Sequence, residues 1–162
     1  DFLNELSNQE KEMVIQAVSV HNKLSIPDMD TGFQRVLDQI LRDADKVDIF
    51  RVSAKEDPMD TTGVCKTQTI TPAVYEALVE GRSVDRSSRI TNLDFWMSFL
   101  GFIPDLNFPV SCRIVLEQGF WREQLDRMVN EQLVEDEMTR EQIQTLLDLS
   151  AKRLEEKAAL AG

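Results

Sequence analysis

The chain has 162 residues, enough for one domain with its own core and short for two. Its 42% hydrophobic and 29% charged residues are ordinary for a globular protein and exclude a wholly disordered chain. Eighteen basic against 29 acidic residues give a formal net charge of −11, which argues against nucleic acid and anionic membrane surfaces as general partners and favours basic ones.

In chain order, Ser7 and Glu10 form an S-x-x-E capping box. Met13, Val14, Ala17, Val18, His21 and Leu24 follow at helical spacing until Pro27 ends the segment. A second helix is expected from Asp30 or Thr31, with Phe33, Val36, Leu37, Ile40, Leu41 and Ala44 on one apolar stripe. From Lys46 the period changes, because Val47, Ile49 and Arg51 alternate with Asp48, Phe50 and Val52. With Lys66 to Ile70 as a partner, a small two-stranded β element is expected between residues 46 and 70, with turns at Asp57-Pro58 and Thr62-Gly63.

Thr71-Pro72 opens a short helix through Tyr75 and Leu78, which Gly81 should stop. A polar loop from Arg82 to Thr91 precedes a helix from Asn92 to Leu100 that ends at Gly101, and Phe102 to Pro109 read as irregular. The last third is helical. Trp121, Leu125, Met128, Val129 and Leu133 form one stripe, and a capping box at Thr139 and Gln142 precedes Ile143, Leu146, Leu147, Leu154 and Ala158. The short break at Glu135 to Met138 makes these two an expected antiparallel pair. The fold class is therefore mainly α, a single domain over residues 1–162 with five or six helices and the small β element.

Signatures of chemistry are sparse. His21 is the only histidine, and Cys65 and Cys112 are two isolated cysteines without C-x-x-C spacing, too few ligands for a zinc site. The acidic runs at Asp28 to Asp30 and Asp43 to Asp48 fail the calcium-loop pattern, since Val47, Asp48 and Ala54 stand where an oxygen ligand, glycine and glutamate are needed. They read instead as surface carboxylates at helix ends. Residues 36–60, with Phe50-Arg51-Val52 and Pro58-Met59-Asp60, resemble the start of a bromodomain. The Asn-x-x-Tyr setting that reads acetyl-lysine has no counterpart, since the one tyrosine, Tyr75, has Pro72 at that spacing, so no such activity is implied. No phosphate loop, nucleophile elbow or paired catalytic carboxylate motif is present, so no catalytic residue, metal or cofactor is assigned.

Two segments stand out. Arg82, Arg86 and Arg89 make one locally positive loop, a candidate anion site ahead of the helix at Asn92. Residues 95–108 read F-W-M-S-F-L-G-F-I-P-D-L-N-F and hold four of the eight phenylalanines. Phe95, Phe99 and Phe102 could face the core while Trp96, Leu100 and Ile103 point elsewhere, so Trp96, Phe99, Leu100, Phe102, Ile103 and Phe108 are the candidate partner-binding residues. The function read from this is a non-catalytic interaction or accessory subunit that docks a protein partner through the aromatic segment. The alternative is a small-ligand-binding or catalytic domain whose apolar pocket the same segment lines. An open aromatic patch favours the first; an enclosed apolar cavity with His21 or Cys112 at its wall favours the second. No stretch has the length of a membrane span, which leaves only peripheral membrane contact open. A soluble chain is expected, and the absence of a Met before Asp1 suits an organellar protein whose targeting peptide has been removed.

Overall fold

The structure, a computed structural model, describes residues 2–23, 25–27, 32–64 and 66–160. Of the residues used above, Leu24, Asp28, Met29, Asp30, Thr31 and Cys65 lie outside these. The helices are α1 (Asn8–Val20), α2 (Gly32–Ser53), α3 (Pro58–Thr62), α4 (Pro72–Val79), α5 (Asn92–Met97), α6 (Pro109–Gln118), α7 (Phe120–Asn130) and α8 (Glu137–Ala159). Short 3-10 turns occur at Phe2–Glu5, Arg86–Ser88 and Ser98–Phe102.

The mainly α class fits, but the described residues contain no strand, and the expected β element is replaced by helix. Residues 46–53 are the last two turns of α2, where Lys46, Phe50 and Ser53 recur every three to four residues and are buried together. A strand would have buried Val52, which is exposed instead. The turn at Asp57-Pro58 is the start of α3, with the Asp57 carboxylate accepting from Met59 N at 2.9 Å. Gly63, at φ +70°, closes α3 in the left-handed conformation a glycine adopts without strain. Residues 66–70 are irregular and are held by side chains and loops: Glu135 N donates to Lys66 O at 2.8 Å, and Leu93 N donates to Gln68 Oε1 at 3.0 Å.

Other boundaries follow local chemistry. The Ser7–Glu10 capping box forms, with Ser7 N donating to Glu10 Oε2 at 2.8 Å. The α8 cap is Asp136 rather than Thr139, because its carboxylate accepts from both Thr139 N and Thr139 Oγ1 at 2.7 Å. α6 starts at Pro109, where a missing N–H costs nothing, so this proline opens a helix where the sequence suggested an interruption. Gly101 is not a terminator; it sits inside the 3-10 turn beneath the 82–84 loop, and a Cβ there would lie 3.1 Å from Val84 N and 3.2 Å from Ser83 Cα.

The core joins Leu93, Trp96, Met97, Leu100 and Ile103 to Met128, Ile143, Leu146, Leu147 and Leu154. α8 packs on α6, α4 and α7, and α2 packs on α1, α6 and α7. Long cations from other elements satisfy the carbonyls at several helix ends, where the backbone has no partner of its own. Arg42 donates to Val20 O and, at 2.5 Å, to Lys23 O beyond α1. Arg153 donates to Leu78 O and Val79 O at the end of α4, and Lys157 ties down the loop carbonyls of Pro104 and Leu106 at 2.7 and 2.6 Å.

Candidate functional site

Two features of the surface follow from how α2 is turned. Its buried face is polar: Asp38, Arg42, Asp43 and Lys46 are buried, with Arg42 only 1% exposed. Buried charges persist only when paired or hydrogen-bonded. Asp105 supplies the main pairing, accepting Arg42 at 2.6 Å and Lys46 at 3.0 Å. The Asp43 carboxylate accepts from Asn107 N, Asn107 Nδ2 and Phe108 N at 2.8–3.0 Å and so holds the entry to α6. Asp43 is therefore an internal cap, whereas Asp48 is exposed and paired to Arg51 as a surface carboxylate would be.

With its charges turned inward, α2 turns its apolar stripe outward. Phe33, Val36, Ile40, Ala44 and Val47 are spaced by three or four residues and share one face. Phe33 is 71% exposed and Ile40 51%, while Leu37 and Leu41 at the stripe's edge are half-buried. Beside it, Val110 and Ile114 of α6 are also exposed. Between the two helices runs a groove of about 640 Å³, walled by Ile40, Ala44, Val47, Phe108, Val110 and Ile114, with Asp43, Asp48 and Arg51 as its charged residues. Of the residues assigned to partner binding from sequence, only Phe108 lies here. The outward turn of the stripe was not readable from its periodicity, since an apolar stripe has the same spacing whichever way it faces.

The aromatic segment is arranged opposite to its sequence reading. Trp96, Leu100 and Ile103 are core residues exposed by no more than 2%, and Trp96 Nε1 donates to Thr62 Oγ1 at 2.7 Å. Phe95, Phe99 and Phe102 are half-buried and form one wall of a cleft of about 660 Å³. Neighbouring rings meet at centroid distances of 5.0 Å (Phe95 to Phe99) and 5.8 Å (Phe99 to Phe102). Lys46 sits over the Phe102 ring at 5.7 Å and Arg89 over the Phe95 ring at 5.8 Å, both within cation–π range. His21 stands at the same cleft and donates through Nδ1 to Val18 O at 2.6 Å.

The three arginines separate. Arg86 and Arg89 line the cleft, whereas Arg82 lies outside it and pairs with Glu80. Amides at the start of α5 are occupied from within the chain, Leu93 N donating to Gln68 Oε1 at 3.0 Å and Asp94 N to Thr91 Oγ1 at 3.1 Å. The Asp94 carboxylate accepts from Thr71 N, Thr71 Oγ1, Ile90 N and Thr91 N at 2.5–2.9 Å. Burial raises the Asp94 pKa, but the hydrogen bonds from Thr71, Thr91 and Ile90 together outweigh it and hold the carboxyl below its usual range. Any external anion near this loop would therefore have to meet arginine side chains rather than the start of α5.

Cys112 is buried in α6, and burial pushes its thiol up, away from the thiolate a nucleophile needs. It does not line the cleft where His21 stands. Among the described residues no group of three or more His, Cys, Asp or Glu could hold a metal ion, and no helix is long and apolar enough to cross a membrane. No family model, curated protein or solved structure matches the chain.

Proposed function

We propose that this protein is a non-catalytic interaction module that receives an amphipathic helix with basic flanks, supplied by a partner protein, in the groove between α2 and α6. The observation carrying the reading is that α2 buries Asp38, Arg42, Asp43 and Lys46 while leaving Phe33, Val36 and Ile40 on the surface. Keeping charges inside and an apolar stripe outside costs stability in an isolated chain, and a contiguous exposed apolar face is a mark of an interaction site. From Phe33 to Val47 the stripe extends about 21 Å at 1.5 Å per residue, a length suited to four turns of a docked helix.

Charge selects the occupant. At a net −11, two copies of this chain repel one another, and in the groove Asp43 is turned inward and Asp48 is paired to Arg51, so the selecting charge is that of the surface around it. A positively flanked helix is complementary to that surface. Burial of Trp96, Leu100 and Ile103 in the core supports a docking site on α2 and α6 over one on the aromatic segment.

The test uses two synthetic helices of roughly 18 residues with the same leucine stripe, one flanked by lysines and the other by glutamates. Calorimetry should find the lysine helix bound at least tenfold more tightly. Ile40→Asp combined with Ile114→Asp should remove about 2 kcal/mol or more of that binding while melting like the parent. Equal binding of both helices, or binding that survives the double substitution, would overturn the reading. So would a concentration-dependent dimer of the parent chain that Ile40→Asp abolishes, since the occupant would then be a second copy.

A further inference from the structure

The aromatic and cationic cleft is separate from the α2–α6 groove, and the geometry points to a second, small-ligand site there: we infer that it binds a planar aromatic carboxylate. Its volume of about 660 Å³ falls within the size of pockets that enclose small organic ligands. The apolar part of the site is mainly aromatic, a continuous run of Phe95, Phe99 and Phe102 rings in edge and tilted contact, with Ile49 and Val84 beside it. Flat rings extend such a run by stacking or edge contact in a way an alkyl chain cannot.

The polar part of the site carries both signs of charge, with its cations next to the rings. Lys46 is only 5% exposed, and its ammonium has three donors but one described oxygen partner, Asp105 at 3.0 Å. That carboxylate also accepts Arg42 at 2.6 Å, so Lys46 does not hold it alone. Arg86 and Arg89 stand at the wall with no carboxylate within 4.0 Å among the described residues, although Arg89 touches Ser98 Oγ at 3.4 Å and its charge acts on Asp85. Among the described residues the cleft's acidic ones are Asp45, Asp85 and Asp105, and Asp85 is engaged in capping Ser87 N at 2.7 Å. Four cations, Lys23, Lys46, Arg86 and Arg89, stand against these three among the described lining residues, in a chain of net charge −11. Guanidinium groups beside a wall of phenyl rings suit a ligand that ends in a carboxylate and is flat behind it.

The inference is tested by titrating the intact chain with 2-naphthoate, its neutral amide and octanoate, read by calorimetry. Saturable binding of 2-naphthoate is expected, at least tenfold tighter than the amide and several-fold tighter than octanoate. Replacing Arg86 and Arg89 together by glutamine should weaken 2-naphthoate at least tenfold with an unchanged melting temperature. Arg82→Gln, which removes the same kind of charge outside the cleft, should leave affinity as it was, and so should Ile40→Asp in the groove. No saturable binding, equal binding of the amide, equal or tighter binding of octanoate, or equal losses from Arg82→Gln and the double variant would each overturn the assignment. Loss of 2-naphthoate on Ile40→Asp alone would overturn it too, by placing the ligand in the groove.

Discussion

Replacing Asp43 by alanine should be among the most damaging single changes to a carboxylate in this protein. The side chain accepts from two backbone donors, Asn107 N and Phe108 N, and from the Asn107 amide, all within 2.8–3.0 Å. Asn107 is exposed, so its amide can return to water, but the two part-buried backbone groups lose a charged acceptor. Hydrogen bonds to charged groups contribute about 1.5–3 kcal/mol each, so the lower value for both gives a loss of about 3 kcal/mol. For a chain of this size that lowers the melting temperature by about 6–12 °C. Asp43→Asn keeps one acceptor oxygen and should lose roughly half as much. Urea unfolding followed by far-ultraviolet circular dichroism measures both, with an unchanged denaturant slope showing that only stability has moved. An Asp43→Ala variant within about 0.5 kcal/mol of the parent, the range of ordinary surface changes, would refute the internal-cap account.

Three further outcomes are expected. Trp96→Ala should lose about 3–5 kcal/mol of folding stability by chemical denaturation, because it empties a core position and removes the donor to Thr62 Oγ1. Gly101→Ala should cost about 1–3 kcal/mol in the same assay, since the new methyl would press on the Val84 and Ser83 backbone rather than on a side chain that can move. Asp94 titrates below its unfolded value of about 3.9, so its contribution is complete above that pH and is lost as the pH falls through the lower folded value. Unfolding free energies at pH 7 and pH 3 should thus converge in Asp94→Asn compared with the parent, and an unchanged difference would contradict the sign.

What was legible in the sequence was mostly local. The Ser7–Glu10 box, the Thr71-Pro72 start and the stop around Gly81 rest on chemistry within a few residues, and each is found where that chemistry places it. Residues 46–53 misled because Val47, Ile49, Phe50 and Val52 satisfy an alternating pattern as well as a helical one, and only the burial of Lys46 and Phe50 distinguishes the two. Lysine at a core position is read as surface from sequence, since the Asp105 that pairs with it lies far along the chain. The same limit hid the orientation of α2: Arg42 and Asp43 are buried by partners at Val20, Lys23, Asp105 and Asn107. In residues 95–108, the helix tightens into a 3-10 turn at Ser98–Phe102, a change that equal apolar content on both faces could not reveal. Aromatic richness alone could not say which of these rings are accessible, which depends on Thr62 and on the 82–84 loop crossing Gly101.

The proposed docking face is tested most directly by mapping backbone amide chemical-shift changes in the labelled chain as the lysine-flanked helix is added. The account predicts that the changes concentrate on α2 between Phe33 and Arg51 and on α6 between Phe108 and Gln118, and that the Asp43-bonded amides of Asn107 and Phe108 shift with them. Changes centred on the cleft around Phe99 and Arg89, changes spread evenly over the acidic surface, or no saturable change would contradict it.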